Sequence, residues 1–219
     1  MDLSELLKIR RGVTAVIGSG GKTSLIEQLA GELRRHGTVL ILTTTKMWLP
    51  VSKPVCCTLQ EAKSALRNRG LAYLGKKNTR LGKLLPPEAD GWEDLEEYVL
   101  AESDGAAGLP LKAHAPWEPV LPNKRTQVVS VVGASGIGKP ILSAVHRPEI
   151  FSRLCGAEIS DPAVPERIAR VLAEENLSDR VFINQADAAD TEDAAQLARL
   201  LPWPVALGSL KNGTWEKIQ

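Results

Sequence analysis

Short apolar runs recur along the chain and end in Gly, Asn or Thr. A sheet covered on both faces has no reason to alternate polarity, so such runs predict buried strands. Six runs have this character: Val13–Ile17, Thr38–Leu42, Tyr98–Ala101, Val128–Val132, Arg180–Ile183 and Pro204–Leu207.

Between these runs, apolar residues recur at helical spacing. The segments are Thr23–Arg35, Leu59–Arg69, Pro165–Glu175 and Thr191–Leu200. Alternation of strand and helix predicts an α/β fold, a mostly parallel sheet with helices on both faces. With 219 residues, we expect a single domain over residues 1–219.

Two segments depart from the alternation. Residues 50–95 combine a helix, a short Leu71–Leu74 strand and a Pro-containing loop, so we interpret them as an insertion or a sheet edge. Residues 104–124 are rich in Gly and Pro and predict a long loop. Long ordered loops inside compact domains tend to carry function.

Composition narrows the class of protein. The 27 basic residues nearly cancel the 26 acidic ones, so bulk charge indicates neither nucleic acid nor a membrane surface as partner. The N-terminal residues lack the apolar core of a signal peptide, and no run approaches the ~18 apolar residues of a membrane span. Three cysteines without a C-x-x-C pair suit a reducing compartment, and we expect a cytoplasmic protein.

The first apolar run leads directly into a glycine-rich loop that opens an amphipathic helix. The loop residues are Gly18, Ser19, Gly20, Gly21, Lys22, Thr23 and Ser24. In this context the backbone N–H groups and the helix N-terminus bind phosphate, Lys22 neutralises the β/γ-phosphates and the Thr23 hydroxyl binds Mg²⁺. The pattern predicts a P-loop nucleoside-triphosphatase-like fold that binds ATP or GTP with Mg²⁺. The short G-x-x-G-K-T spacing is also seen in the Mur-type ligases.

A second glycine-rich loop, Gly133–Pro140, follows another strand and has Pro where Ser or Thr belongs. Proline removes a hydroxyl and a backbone donor, so we interpret this loop as lining the site. Whether Lys139 contacts the ligand or belongs to a plain turn is open.

Acidic residues follow the Tyr98–Ala101 run, where a carboxylate is needed to hold Mg²⁺. Glu102 and Asp104 are both candidate metal ligands, although an acidic strand end is also common in proteins. We also assign a catalytic role to Lys22 and Asp104.

Asn184 and Asp187 follow the Arg180–Ile183 run, and their spacing resembles the N-K-x-D motif that reads guanine in GTPases. Gln185 stands where that motif has Lys, and a bare N-x-x-D is common by chance, so the choice between ATP and GTP is open.

His146 and Arg147 stand together before a predicted helix. Arg147 has the geometry to pair with phosphate, and His146 transfers protons near neutral pH, so both are candidate catalytic residues. Surface ion pairing and a polar helix start are the alternatives. Other polar candidates in this part of the chain are Lys112, His114, Glu118 and Glu149.

Taken together, these motifs resemble the selenium-dependent hydroxylase accessory proteins, also called YqeC-like. The resemblance is carried by Gly18–Thr23, Thr43–Met47, Glu102–Lys112, Glu118–Pro119, Gly138–Pro140, His146–Glu149 and Asn184–Asp187. Gln185 departs from the family, in which Lys is usual. The resemblance implies a role in maturing a selenium-dependent molybdenum hydroxylase, with that enzyme or its cofactor as partner.

Three hypotheses follow. The first is an accessory protein that slowly hydrolyses a nucleoside triphosphate with Mg²⁺. The second is an ATP-dependent ligase or transferase acting on a small acid or cofactor. The third is a non-enzymatic switch that binds nucleotide and docks on a client protein.

Overall fold

The computed structural model describes residues 1–51, 53–95 and 97–218, so Ser52 in the predicted insertion and Glu96 and Gln219 in the predicted domain lie outside the described residues. The helices are α1 Leu3–Leu6, α2 Lys22–Leu33, α3 Leu59–Arg69, α4 Ile141–Ala144, α5 Pro148–Cys155, α6 Pro165–Glu175 and α7 Thr191–Leu200. The strands are β1 Gly12–Gly18, β2 Val39–Thr43, β3 Met47–Trp48, β4 Val55–Cys56, β5 Leu71–Leu74, β6 Lys76–Asn78, β7 Lys83–Leu85, β8 Tyr98–Glu102, β9 Leu111–Lys112, β10 Arg125–Gly133, β11 Val145–His146, β12 Arg180–Asn184, β13 Val205–Ser209 and β14 Thr214–Lys217. None of the helices in these ranges is long and apolar enough to cross a membrane.

The main sheet has nine strands in the order β14-β13-β12-β10-β1-β8-β2-β5-β4. Neighbouring strands run parallel, except that β14 is antiparallel to β13 at one edge. The predicted α/β fold with a mostly parallel sheet is therefore confirmed. Strand β1, which leads into the glycine loop, lies between β8 and β10.

Both faces of the sheet are covered, which explains why the strands read as unbroken apolar runs. In β12, Phe182 packs on the face that also buries α2, whereas Val181 and Ile183 pack among α5, α6 and α7 on the opposite face. In β2, Leu40 and Leu42 pack with α3 on a third apolar cluster. Helices thus lie on both faces, as predicted.

The bounds of the predicted elements agree closely with the structure. Helices α3, α6 and α7 coincide with the predicted segments, and α2 begins at Lys22 and ends at Leu33, before the predicted Arg35. Strand β10 begins at Arg125 rather than Val128, because its exposed polar start already pairs with β1. Apolar periodicity does not register such a polar strand start.

Residues 50–95 contribute to two sheets. Strands β4 and β5 form one edge of the main sheet, whereas β6 and β7 join β3 in a separate antiparallel sheet of order β3-β7-β6. The predicted loop at 104–124 contains one short strand, β9, which pairs with β11. This loop contacts both glycine-rich loops, since the Ser19 hydroxyl donates to the Leu109 carbonyl and the Gly133 N–H donates to the Pro110 carbonyl at 2.9 Å.

Candidate functional site

The glycine loop between β1 and α2 has a backbone that only glycine accommodates. Gly18 and Gly20 have φ angles of 91° and 89°. A Cβ at Gly18 would lie 2.3 Å from the Val131 carbonyl oxygen, and one at Gly20 would lie 2.4 Å from the Gly133 Cα. The glycines therefore permit both the left-handed turn and the close approach of the second glycine-rich loop.

The start of α2 presents free backbone donors beside this turn. The first bond of the helix runs from the Leu25 N–H to the Gly21 carbonyl at 2.9 Å, so the N–H groups of Lys22, Thr23 and Ser24 precede it. Together with the positive end of the helix dipole, these donors favour a bound anion. Strand, loop and helix thus have the geometry of a phosphate-binding loop.

Glu102, at the end of β8, lies beside Thr23. The Thr23 hydroxyl donates to Glu102 Oε2 at 2.7 Å. Burial raises the pKa of Glu102, against the opposing effects of the Lys22 charge and the Thr23 hydrogen bond. A hydroxyl and a carboxylate are the oxygen ligands that Mg²⁺ uses when nucleotide phosphates and water complete its shell, so this pair fits the ion. No group of three or more His, Cys, Asp or Glu in the described ranges forms a separate metal site.

A metal ligand is expected beside Thr23, but Asp104 does not lie there. Its fully buried side chain lies beneath the loop. Its Oδ2 accepts from the Gly18 N–H at 2.8 Å and lies 3.2 Å from Lys112 Nζ, while Lys22 Nζ lies 3.0 Å from Oδ1. Burial opposes the charge, but the His114 hydrogen bond and the two lysines lower the pKa of Asp104 to about 2. The carboxylate therefore holds the loop and Lys22 in place, and of the two predicted acidic ligands it is Glu102 that contacts Thr23.

His114 and Glu175 complete the support of Asp104. His114 Nε2 lies 2.8 Å from Asp104 Oδ2, and Nδ1 lies 2.8 Å from Glu175 Oε2. Although burial disfavours the charged ring, the hydrogen bonds to both carboxylates raise the pKa of His114. Sequence reasoning noted His114 as a polar loop residue but missed Glu175, which carries no signal beyond being an acidic residue at the end of α6.

His146 and Arg147 were predicted to act at the phosphate loop. They lie instead at the side of this network that is away from the loop. Arg147 Nε donates to Glu118 Oε2 at 2.9 Å, and the same oxygen lies 3.1 Å from Lys112 Nζ. Burial and the charges of Lys112 and Arg147 lower the pKa of His146. Neither His146 nor Arg147 lines the two cavities described below, and Arg147 connects to the loop through Glu118, Lys112 and Asp104.

Two cavities meet at the loop and share Gly20, Gly21, Ser24 and Gln185. One is a cleft of about 560 Å³ that also contains Thr23 and Glu102. The other, of about 440 Å³, is bounded by Ser135, Asn184, Asp187, Ser209, Leu210 and Lys211. The loop therefore stands between a cavity on the Thr23 side and one on the Asn184 side.

The ends of β12 and β13 form the second cavity. Asn184 Nδ2 donates to the Gly20 carbonyl at 2.7 Å, and its Oδ1 accepts from the Leu210 N–H at 3.0 Å. The Asn184 amide thus ties the two loops together, whereas Asp187 lines the cavity. Gln185 accepts from the Ser135 hydroxyl at 2.6 Å, and exposed Lys139 lines neither cavity.

Comparison with known proteins places the chain in a family. The model of the YqeC protein family matches residues 14–149. The chain is 35% identical over 158 residues to "Uncharacterized protein YqeC" of Escherichia coli (strain K12), a match that covers 67% of this chain and 62% of the length of that relative. Among solved structures, the hydrogenase maturation factor HypB from Archaeoglobus fulgidus matches with a TM-score of 0.47 and 14% identity, covering 96% of this chain and 87% of that chain. Because the family model covers more than half of the sequence, including the glycine loop, Glu102 and Asp104, the chain belongs to the YqeC protein family.

Proposed function

We propose that this chain binds ATP or GTP with Mg²⁺ on the loop Gly18–Ser24 and hydrolyses it slowly, as an accessory protein in the maturation of a selenium-dependent molybdenum hydroxylase. The observation that carries the proposal is the glycine-only backbone of the loop, with Lys22 at its end and the Thr23 hydroxyl 2.7 Å from Glu102.

In this proposal each residue has a defined task. The backbone N–H groups of residues 20–24 bind the phosphates, and the Lys22 ammonium moves from Asp104 and the Gly18 carbonyl to the β/γ-phosphates. Lys112 and His114 remain on Asp104 and keep its buried charge paired. Thr23 and Glu102 hold Mg²⁺, which neutralises charge that develops on the phosphate oxygens.

The base lies in the cavity on the Asn184 side. Asp187 lines that cavity next to Lys211, whose Nζ lies 3.8 Å from Asp187 Oδ2, and a carboxylate accepts from N1 and N2 of guanine, which adenine does not offer. Gln185 replaces the lysine whose stem packs on the base in GTPases. The binding of adenine and guanine nucleotides is therefore to be compared directly.

Membership of the YqeC protein family and the motifs that resemble selenium-dependent hydroxylase accessory proteins support the accessory role. Co-expression of such a hydroxylase with this chain, with Lys22→Ala or with neither tests it. We expect higher hydroxylase activity per mole of hydroxylase only with the native chain. Equal activity in all three samples would remove the accessory role and leave nucleotide binding as a separate question.

Calorimetric titration of ATP and GTP analogues, with and without Mg²⁺, tests the binding itself. We expect Mg²⁺-dependent binding to the native chain and none to Lys22→Ala, because the ammonium neutralises the phosphates. Lys139→Ala, the same substitution in the second glycine-rich loop, is the matched control and should bind as the native chain does. Absence of binding to a folded native sample would refute the proposal.

A further inference from the structure

The cleft on the Thr23 side of the loop has a second wall that the nucleotide proposal leaves unused. Strands β3 and β7 pair antiparallel and place Trp48 opposite Lys83. Both side chains line the cleft, as does Lys46 just before β3. The Trp48 side chain is 64% exposed, and Lys83 Nζ lies 3.1 Å from the centroid of its ring.

Lys46 and Lys83 form no ion pair with a carboxylate in the described part of the chain. Lys22, which lines the same cleft, differs because it is paired with Asp104. Two unpaired cations in a concave site favour an anionic ligand.

The surrounding segment has the same charge character. Residues 44–85 contain nine Lys or Arg residues and a single acidic residue, whereas the whole chain has a net charge of +1. Three of these basic residues lie on α3, and Lys53 and Lys76 pair with Glu27 and Glu88, so the positive charge at the cleft itself comes from Lys46 and Lys83.

A nucleotide on the loop leaves this wall free. The base cavity lies on the Asn184 side, so the nucleoside extends away from Lys46 and Lys83. The phosphates and Mg²⁺ take the part of the cleft near Thr23 and Glu102. With a volume of about 560 Å³, the cleft is within the range of a small-molecule site.

We infer that Lys46, Lys83 and Trp48 bind a second substrate, a small anionic molecule with a phosphate or carboxylate group, next to the terminal phosphate of the nucleotide. This inference rests on the proposed nucleotide site. It makes the chain a two-substrate protein in which the anion contacts the two ammonium groups and an adjoining apolar part contacts the Trp48 ring.

The test uses pyrophosphate and citrate as probes, which represent phosphate and carboxylate ligands. Each is titrated calorimetrically into the full chain that has been saturated with Mg²⁺ and a non-hydrolysable nucleotide analogue, so that the loop itself is blocked. We expect saturable binding of at least one probe. In the double variant Lys46→Gln, Lys83→Gln this binding should weaken about tenfold or more, as charge-assisted contacts are lost.

The matched control is Lys77→Gln, Arg80→Gln, which removes the same charge from an exposed position of β6 and from the turn between β6 and β7, both outside the cleft. Equal weakening in both double variants would reduce the effect to general charge and overturn the inference. The inference would also be overturned if neither probe bound saturably to the native chain. It would equally be overturned if the sole effect of the Lys46, Lys83 substitutions were a loss of nucleotide affinity.

Failure of the nucleotide site is detected separately. If the native chain binds no nucleotide, the probes are titrated into Lys22→Ala, where the loop lysine is absent but the β3-β7 wall is intact. Binding that still depends on Lys46 and Lys83 would then support the anion site without the proposed function, and absence of such binding would overturn both.

Discussion

At the scale of single residues, Asp104 is the centre of the site. Its carboxylate is fully buried, and Lys22, Lys112, His114 and the Gly18 N–H all contact it. A buried charge is tolerated only when it is paired and hydrogen-bonded, and removing one partner leaves the others unpaired. The conformation of the glycine loop thus depends on one carboxylate.

Replacing Asp104 with Asn should therefore destabilise the fold by about 3–5 kcal/mol, because three cationic groups lose their buried counter-charge. Urea unfolding measures this loss. Asp94→Asn, which breaks a solvent-exposed pair with Lys124, serves as the control and should leave the midpoint nearly unchanged.

In the native chain, the stabilisation from the lowered pKa of Asp104 is present above the unfolded pKa of about 3.9 and is lost as pH falls towards the folded value of about 2.

His114 gives the opposite dependence on pH. Its pKa is raised in the folded chain, so its stabilisation is fully present below the unfolded pKa of about 6.5 and is lost as pH rises through the folded pKa. We expect the free energy of unfolding to decline as pH rises through the folded pKa of His114. The substitution His114→Asn should flatten this decline. His36→Asn, at an exposed position of the same residue type, should keep the native profile; a flattened profile there would contradict the assignment to His114.

At the scale of elements, the β1–α2 unit combines a tightly constrained loop with an ordinary helix. Two of its glycines are in opposite environments. Gly20 touches the backbone of Gly133, whereas Gly31, within α2, has open space where a Cβ would be. The same substitution therefore has opposite expected effects within one element.

Gly20→Ala should lower stability and abolish nucleotide binding, because its Cβ would lie 2.4 Å from the Gly133 Cα and its φ of 89° is unfavourable for Ala. Gly31→Ala should stabilise the chain by about 0.5–1 kcal/mol through helix propensity. Thermal unfolding and nucleotide titration of both variants check this pair. Retained binding in Gly20→Ala would show that the two loops separate without cost.

At the scale of the whole molecule, the cavity proposed for the base is assembled by loops that follow β1, β10, β12 and β13. A ligand that binds the folded chain but not the unfolded chain stabilises the folded state by RT ln(1 + [L]/Kd). At a concentration of 100 times Kd, the gain is about 2.7 kcal/mol.

We therefore expect Mg²⁺ with the preferred nucleotide to raise the Tm of the native chain by several degrees, measured by scanning calorimetry. The same ligand should leave the Tm of Lys22→Ala unchanged, with Lys139→Ala responding as the native chain does. A comparable rise in Lys22→Ala would mean that the stabilising ligand binds elsewhere.

Apolar spacing and the glycine pattern alone predict seven strands of the main sheet, the bounds of four helices to within two residues, and the place of the glycine loop. These features depend on residues within one or two turns of each other, such as the apolar spacing of α6 or the glycines at 18, 20 and 21. Local periodicity and backbone sterics record such relations directly. The same locality explains why all six predicted runs are strands of the main sheet, whereas their order across it was not predicted.

Only the tertiary structure decided which side chains meet at the site. Glu102 and Asp104 are two residues apart and both follow β8, yet one reaches Thr23 and the other lies beneath the loop, because the chain turns away from the sheet between them. His114 meets Glu175 across 61 positions, and Lys83 meets Trp48 through strand pairing within a small separate sheet. Contacts of this kind depend on how distant elements pack, and no local pattern in the sequence encodes that packing.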